Sequence, residues 1–366
     1  MNKNLKTDDL LRNRVFQQKD NKKIQPYELD LINSILENSK TLKSLISPAT
    51  LKGVSLLGSN DYYDSYLLKT DSSKYVMKIN SDDSDGILLK ESESLKLLSN
   101  KNIAPDLIDF GQHQELSFLV SSYENGINFK QLPVDSYTFN LGCISKTFSF
   151  LHEVTKRAGS FNFGDFMSSK IEALNYSNIF PEDILNDLNK QSKGFVKHLP
   201  ILEKLKSELL EKSKDISTNF SCLCHLNLDK SKILYRDGMV KFINFENSEF
   251  CDPVFDLVLL SYFTSLASQP DKEDFFLRSY YDSFRDFELS KEEFDNKVKL
   301  YKPIAAKFIL INIFVNFFCE SLIHKDQRPL EFIKLMKLYE LIKKDLNISD
   351  QDCISCKNII FNVIGP

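Results

Sequence analysis

The stretch from Cys224 to Leu257, CHLNLDKSKILYRDGMVKFINFENSEFCDPVFDL, constrains this chain more than any other. A polar loop opened by His225 runs into the apolar residues Ile233, Leu234 and Tyr235. Arg236-Asp237-Gly238 supplies a tight turn, and Val240 to Phe245 alternates before the acidic Glu246. Two short strands joined through Asp-Gly predict a β-hairpin, because that pair tolerates the positive φ angles such turns need. Polar residues at both mouths of a rigid hairpin are well placed to present a site.

Upstream, residues 1 to about 25 are polar and charged and predict a mobile arm, with an arm that docks on a partner as the other reading. Tyr27 to Ile46 shows helical spacing, interrupted by the polar Glu37 to Lys40. Val54–Leu57, Tyr62–Lys69 and Lys74–Ile79 read as strands, with turns at 58–61 and 70–73. A helix over Leu88–Leu98 follows, then strands over Leu107–Phe110 and Leu116–Tyr123. Beyond Gly126 the pattern turns helical, over Leu141–Val154, Pro200–Ile216, Asp256–Leu266, Asp274–Phe284, Lys291–Tyr301, Ile304–Ile323 and Pro329–Leu346. The region 160–200 reads as a polar loop.

At 366 residues the chain is long enough for one large or two smaller cores, and 42% apolar with 27% charged residues is ordinary for a soluble protein. A net charge of −4 gives no electrostatic reason to expect nucleic acid. The apolar run Phe308–Cys319 is too short to span a bilayer. Seven scattered cysteines with no histidine pair at zinc spacing predict thiols in a reducing cytoplasm rather than a metal site. The polar first residues carry no secretory signal, so a cytoplasmic location is expected.

The frame of the hairpin segment resembles the catalytic segment of the aminoglycoside phosphotransferase and choline kinase group, a small-molecule branch of the protein-kinase-like fold. That group reads roughly H-G-D-L-H-P-G-N-I-L, then I-D-F-E, then G-D-P-x-x-D-L. Here the frame reads His225-Leu-Asn227-Leu-Asp229-Lys-Ser-Lys232-Ile-Leu, then Ile243-Asn244-Phe245-Glu246, then Cys251-Asp252-Pro253-Val-Phe-Asp256-Leu257. Glu124-Asn125-Gly126 is similar to the hinge, and Leu151-His152 to the helix before the catalytic loop. The resemblance implies an α+β, two-lobed fold: a small lobe with a five-stranded antiparallel sheet, and a larger, mostly helical lobe. The implied division is 1–46 arm and helix, 47–124 small lobe, and 125–366 large lobe carrying the hairpin at 224–257.

The resemblance also implies roles. Lys78 matches the strand lysine that holds phosphates, Glu91 its helical partner with Glu93 as the alternative, and Gly58-Ser59-Asn60 the phosphate-covering turn. Asn227 stands at the catalytic aspartate, Lys232 at a metal-binding asparagine and Asn244 at a metal-binding aspartate. His225, Asp252 and Asp256 match loop-bracing and helix-capping positions. An amide has no basic oxygen to take a proton, and losing a general base costs roughly 10²–10⁴-fold. Mg²⁺ prefers carboxylate oxygens, and an ammonium offers only donors. The residues therefore predict an inactive binding or assembly module, with ATP or another anion held by Lys78, Glu91, Lys232, Asn244 and Glu246, and with no metal ligands. Lys232 is expected to pair with a nearby acid, Glu246 or Asp229. Two other readings stand beside it. One is an active phosphotransferase with rearranged ligands, its cationic acceptor met by Asp165, Glu172, Glu182 or Asp183; the other is a structural subunit. Protein partners would dock through the arm or the large-lobe helices.

Overall fold

The computed structural model describes residues 24–46, 50–59, 62–80, 86–131, 137–174, 199–323, 336–352, 354 and 356–357. In chain order the elements are α1 (Pro26–Asn38), α2 (Lys40–Leu45), β1 (Leu51–Ser59), β2 (Asp64–Thr70), β3 (Lys74–Asn80), α3 (Ile87–Leu97), β4 (Leu107–His113), β5 (Leu116–Ser122) and β6 (Ile127–Asn128). There follow α4 (Tyr137–Thr155), β7 (Arg157–Asn162), α5 (Phe163–Ala173), α6 (Leu199–Ser213) and β8 (Ser217–Cys224). The last are β9 (Ile233–Arg236), β10 (Met239–Phe242), β11 (Glu249–Cys251), α7 (Pro253–Phe263), α8 (Pro270–Ser283) and α9 (Lys291–Ile323). The chain divides into two compact units, 1–147 with 230–249 and 148–229 with 250–366.

In the first unit a five-stranded antiparallel sheet runs in the order β1-β2-β3-β5-β4, with α3 inserted between β3 and β4. Alternation sends Met77 and Ile79 of β3 into a core shared with Ile32, Ile35 and Leu36 of α1 and Leu42 of α2. The helical pattern that falters at Glu37–Lys40 resolves into two helices. Gln25 and Glu28 form a capping box ahead of α1, and Ser39 Oγ accepts the Leu42 N–H at 3.0 Å to start α2.

The hairpin forms as the turn chemistry dictates. Arg236 pairs with Met239 and Ile233 with Phe242, across Asp237 (φ 51°) and Gly238 (φ 83°). It belongs with the sheet unit, whereas the sequence reading groups it with the helical lobe. The reason is its bonding: β9 pairs with β6, and the Phe242 N–H donates to the Ile103 carbonyl at 2.9 Å. Gly126 permits this approach, since a Cβ there would stand 3.1 Å from Leu234 Cβ and 3.3 Å from the Tyr235 carbonyl oxygen.

The second unit is built on α7, whose residues from Pro253 to Tyr262 are all buried, as expected of a helix apolar on every side. Asp252 caps it by accepting the Val254 N–H at 2.9 Å, with Pro253 at the first position where its missing N–H costs nothing. Phe163 of α5 and Tyr301 of α9 pack on Phe255 at centroid distances of 5.0 and 5.6 Å. Three sequence expectations need correcting here. Lys291–Tyr301 and Ile304–Ile323 form one helix through Pro303, because Tyr301, Ile304, Ala305 and Ala306 are all buried and their packing outweighs one lost hydrogen bond. The expected loop 160–200 contains the end of β7 and all of α5, the latter started by Asn162 accepting two backbone N–H groups. Ser217–Cys224, where no strand was expected, is β8, the centre of a sheet ordered β11-β8-β7. The amino-terminal arm (1–23), the 175–198 part of the expected loop and the start of the helix expected at Pro329 lie outside the described residues.

Candidate functional site

Lys78 occupies the middle strand of the first unit's sheet, opposite Ser65 on β2 and Leu119 on β5. Its neighbours Met77 and Ile79 point into the core, so Lys78 faces the other side of the sheet. There it is only 4% exposed. Its Nζ donates to Glu91 Oε2 and Oε1 of α3 at 2.6 and 2.8 Å, while Glu93 is exposed and takes no part. A further bond reaches Asn244 Oδ1 at 3.2 Å, and Glu246 Oε2 lies at 3.9 Å. Burial alone would drive the ammonium to lose its proton, but the carboxylates of Glu91 and Glu246 hold its pKa above the ordinary lysine value.

The two mouths of the hairpin complete this cluster. Lys232 stands just before β9, and its carbonyl accepts the Ile243 N–H at 3.0 Å across the pair. That closure places the Lys232 ammonium 3.2 Å from Glu246 Oε1. Of the two acids expected to pair with Lys232, Glu246 is the one it meets. Asn244 adopts a left-handed backbone (φ 64°), which asparagine tolerates better than most residues. Ser94 of α3 and Ser248 share a hydrogen bond of 2.7 Å, fixing the segment after β10 against the helix.

Sequence reasoning missed Tyr63. This residue immediately precedes β2, is 6% exposed, and places its hydroxyl 3.3 Å from Lys78 Nζ and its ring centroid 4.5 Å from the same atom. Burial pushes its hydroxyl up to about 12, against the lowering field of Lys78. Its only trace in the sequence is a tyrosine pair between Asp61 and Asp64 at the start of the strand expected over Tyr62–Lys69, and that pattern is too common to single it out. Gly58 and Ser59 lie in β1 rather than in a turn, and Asn60 is outside the described residues.

His225 and Asn227 belong to the second unit, on the loop after β8. The buried Asp256 holds that loop by its backbone: Oδ2 accepts the His225 N–H at 2.6 Å and Oδ1 the Leu226 N–H at 2.8 Å. Leu226 is thereby kept in a left-handed conformation, φ 61°, which costs a residue with a side chain about 1–2 kcal/mol. Asp256 also meets His152 Nε2 at 3.3 Å, and His152 Nδ1 meets the Tyr280 hydroxyl at 2.8 Å. Asp252, beyond its capping role, pairs with Lys297 at 2.6 Å and accepts from Tyr301 at 2.8 Å. Asn227 itself is half-buried. Asp165 and Glu172 are exposed on α5, as solvated helix residues are, and Glu182 and Asp183 lie outside the described residues.

The donor set of the first unit does not suit Mg²⁺. Two ammonium groups and two carboxylates balance one another there, Asn244 Oδ1 already accepts from Lys78, and Lys232 adds donors where a cation would need acceptors. Among the described residues, His152, Cys224 and Asp256 form the one close trio of metal-ligand types. Both ring nitrogens of His152 and both oxygens of Asp256 are already engaged by protein groups, which makes the trio a packed brace.

No protein-family model matches the sequence, and no curated protein matches it either. The structure, by contrast, matches solved kinases along almost its whole length. A ternary complex of aminoglycoside phosphotransferase APH(4)-Ia with AMP-PNP and hygromycin B superposes at a TM-score of 0.53 and 12% identity, covering 90% of this chain and 100% of that one. The Plasmodium vivax ethanolamine kinase gives 0.55 and 14%, covering 98% and 95%. Choline kinase LicA from Streptococcus pneumoniae gives 0.51 and 16%, covering 92% and 99%. The chain has the protein-kinase-like fold these enzymes share, with its five-stranded antiparallel sheet.

Proposed function

We propose that this kinase-fold chain is a pseudokinase of the aminoglycoside phosphotransferase and choline kinase type, a binding module that does not carry out metal-dependent phosphoryl transfer. The observation that carries this reading is the ion pair between Lys232 and Glu246 at 3.2 Å. Where the resemblance calls for metal ligands, the chain supplies a cation of its own and satisfies it internally. Asn244, bonded to Lys78, completes the arrangement without the negative charge that draws in a hard divalent ion. On the catalytic loop, Asn227 offers an amide where the fold's enzymes use a general base. The brace on that loop is intact, so this chemistry is lost from a maintained scaffold. Any anionic ligand, a nucleotide included, would be held by side-chain cations rather than through a bridging metal.

The test compares wild type with a variant carrying Asn227→Asp, Lys232→Asn and Asn244→Asp. Wild type is expected to show no Mg²⁺-dependent transfer from ATP to amino-sugar or choline-like acceptors, and no Mg²⁺-dependent thermal stabilisation by ATP. The triple variant is expected to gain the second property. Turnover by wild type at an ordinary enzymatic rate would overturn the reading.

A further inference from the structure

Lys78 has three N–H bonds to give and four acceptor oxygens within 3.3 Å: two of Glu91, one of Asn244 and one of Tyr63. Every donor direction is used, and the face of the Tyr63 ring lies over the ammonium as well. We propose that Tyr63 is an autoinhibitory latch, closing Lys78 off from phosphate-bearing ligands until the ring swings away. The inference rests on the reading above in one respect, that the cluster works without a metal.

Tyr63 is the partner that can yield. Glu91 is a buried carboxylate whose release would strand a charge, and Asn244 is tied to the hairpin mouth beside Lys232 and Glu246. Tyr63 is neutral, makes the longest of the four bonds, and belongs to no strand or helix. A polyphosphate oxygen that replaced its hydroxyl would exchange a neutral acceptor for a charged one, which an ammonium prefers. The same balance explains why the site stays shut in the free protein. Lys78 and Lys232 are already neutralised by Glu91 and Glu246, so there is no net positive charge to pull an anion past the ring.

The test uses the full-length protein, EDTA, low salt and inorganic tripolyphosphate as the probe, with binding followed by calorimetry. Tyr63→Ala is expected to bind about tenfold more tightly than wild type, the size of one displaced hydrogen bond plus its ring contact. Adding Lys78→Met should abolish the gain, and Tyr63→Phe, which keeps the covering ring but loses the hydroxyl bond, should fall between wild type and Tyr63→Ala. Equal binding by wild type and Tyr63→Ala, or a gain that survives Lys78→Met, overturns the latch. Should Tyr63→Ala fail to fold, Tyr63→Leu carries the same comparison. Acetylation of Lys78, read by peptide mass, then reports uncovering without any ligand: faster labelling in the variant supports the latch, and equal rates overturn it. Mg²⁺-dependent transfer by wild type would sink the pseudokinase reading alone, because the latch is judged by the ratio between variant and wild type without metal.

Discussion

Asp256 in the second unit and Lys78 in the first are both almost wholly buried charges, 1% and 4% exposed, yet they are satisfied in opposite ways. Asp256 takes its bonds from two backbone N–H groups and an imidazole, so its role is to fix the course of the chain. Lys78 takes its bonds almost entirely from side chains, two of them charged. The first arrangement depends on backbone geometry that the fold itself requires. The second can exchange partners one side chain at a time, for the fold asks only that its charges balance. On the reading proposed above, that difference would account for a chain that keeps the protein-kinase-like fold while Lys232 and Asn244 stand where the resemblance implies metal ligands.

The sharpest challenge to this contrast is Asp256→Ala. It leaves the His225 and Leu226 N–H groups without their acceptor and is expected to cost about 3–5 kcal/mol, read as a lower urea midpoint. In the first unit, Lys78→Met is expected to cost about 3 kcal/mol by leaving Glu91 buried beside no cation. The double variant Lys78→Met/Glu91→Leu should return to within about 1 kcal/mol of wild type, because an apolar pair can replace a buried ion pair. If the double variant is as unstable as the single one, the cluster is not the self-balancing unit described.

Much of this was legible in the sequence, for identifiable reasons. The hairpin declared itself through Asp237-Gly238, and the sheet through alternation in strands such as β3. Lys78, Glu91, Lys232, Asn244 and Glu246 could be gathered because the frame around them resembles a known one, and they do meet. Strand β8 escaped because its first three residues are polar, although Phe220, Cys222 and Cys224 alternate inward. Pro303 suggested a break that the buried residues around it do not allow. Tyr63 was invisible because its importance is entirely tertiary: nothing local marks a tyrosine that lies over a lysine 15 residues away.

Both centres should also weaken under alkali. Tyr63, raised by burial from 10.0 to about 12, contributes stability that is complete below pH 10 and is lost as the pH climbs through about 12. Tyr280 and Tyr301 of the second unit are raised too, burial again being the main cause, so that unit also loses stability as the pH climbs above 10. Stability followed across that window by denaturant titration should fall by about 3 kcal/mol on account of Tyr63, a loss that Tyr63→Phe removes. Tyrosinate absorbance should show the second unit's residues ionising only at unfolding. Simultaneous ionisation of all of them well below the unfolding transition would contradict the burial on which the contrast rests.

The smallest effect is also the most specific to the brace. Leu226 is held at φ 61° by Asp256 while its side chain is 8% exposed, so a glycine there trades relief of about 1–2 kcal/mol of backbone strain against about 1.5–3 kcal/mol of lost burial. Leu226→Gly is therefore expected to cost about 1 kcal/mol, against about 2–5 kcal/mol for Leu257→Ala in the neighbouring helix core. The deciding comparison is Leu226→Ala. Alanine keeps only a methyl group of that burial and keeps the strain, so here it should be less stable than glycine by up to about 1 kcal/mol, the reverse of the order at ordinary positions. Chemical denaturation of the two variants reads that order directly. If alanine proves the more stable, the loop is not held in the left-handed region, and Asp256 is a buried acid with partners rather than the residue that sets the chain's path.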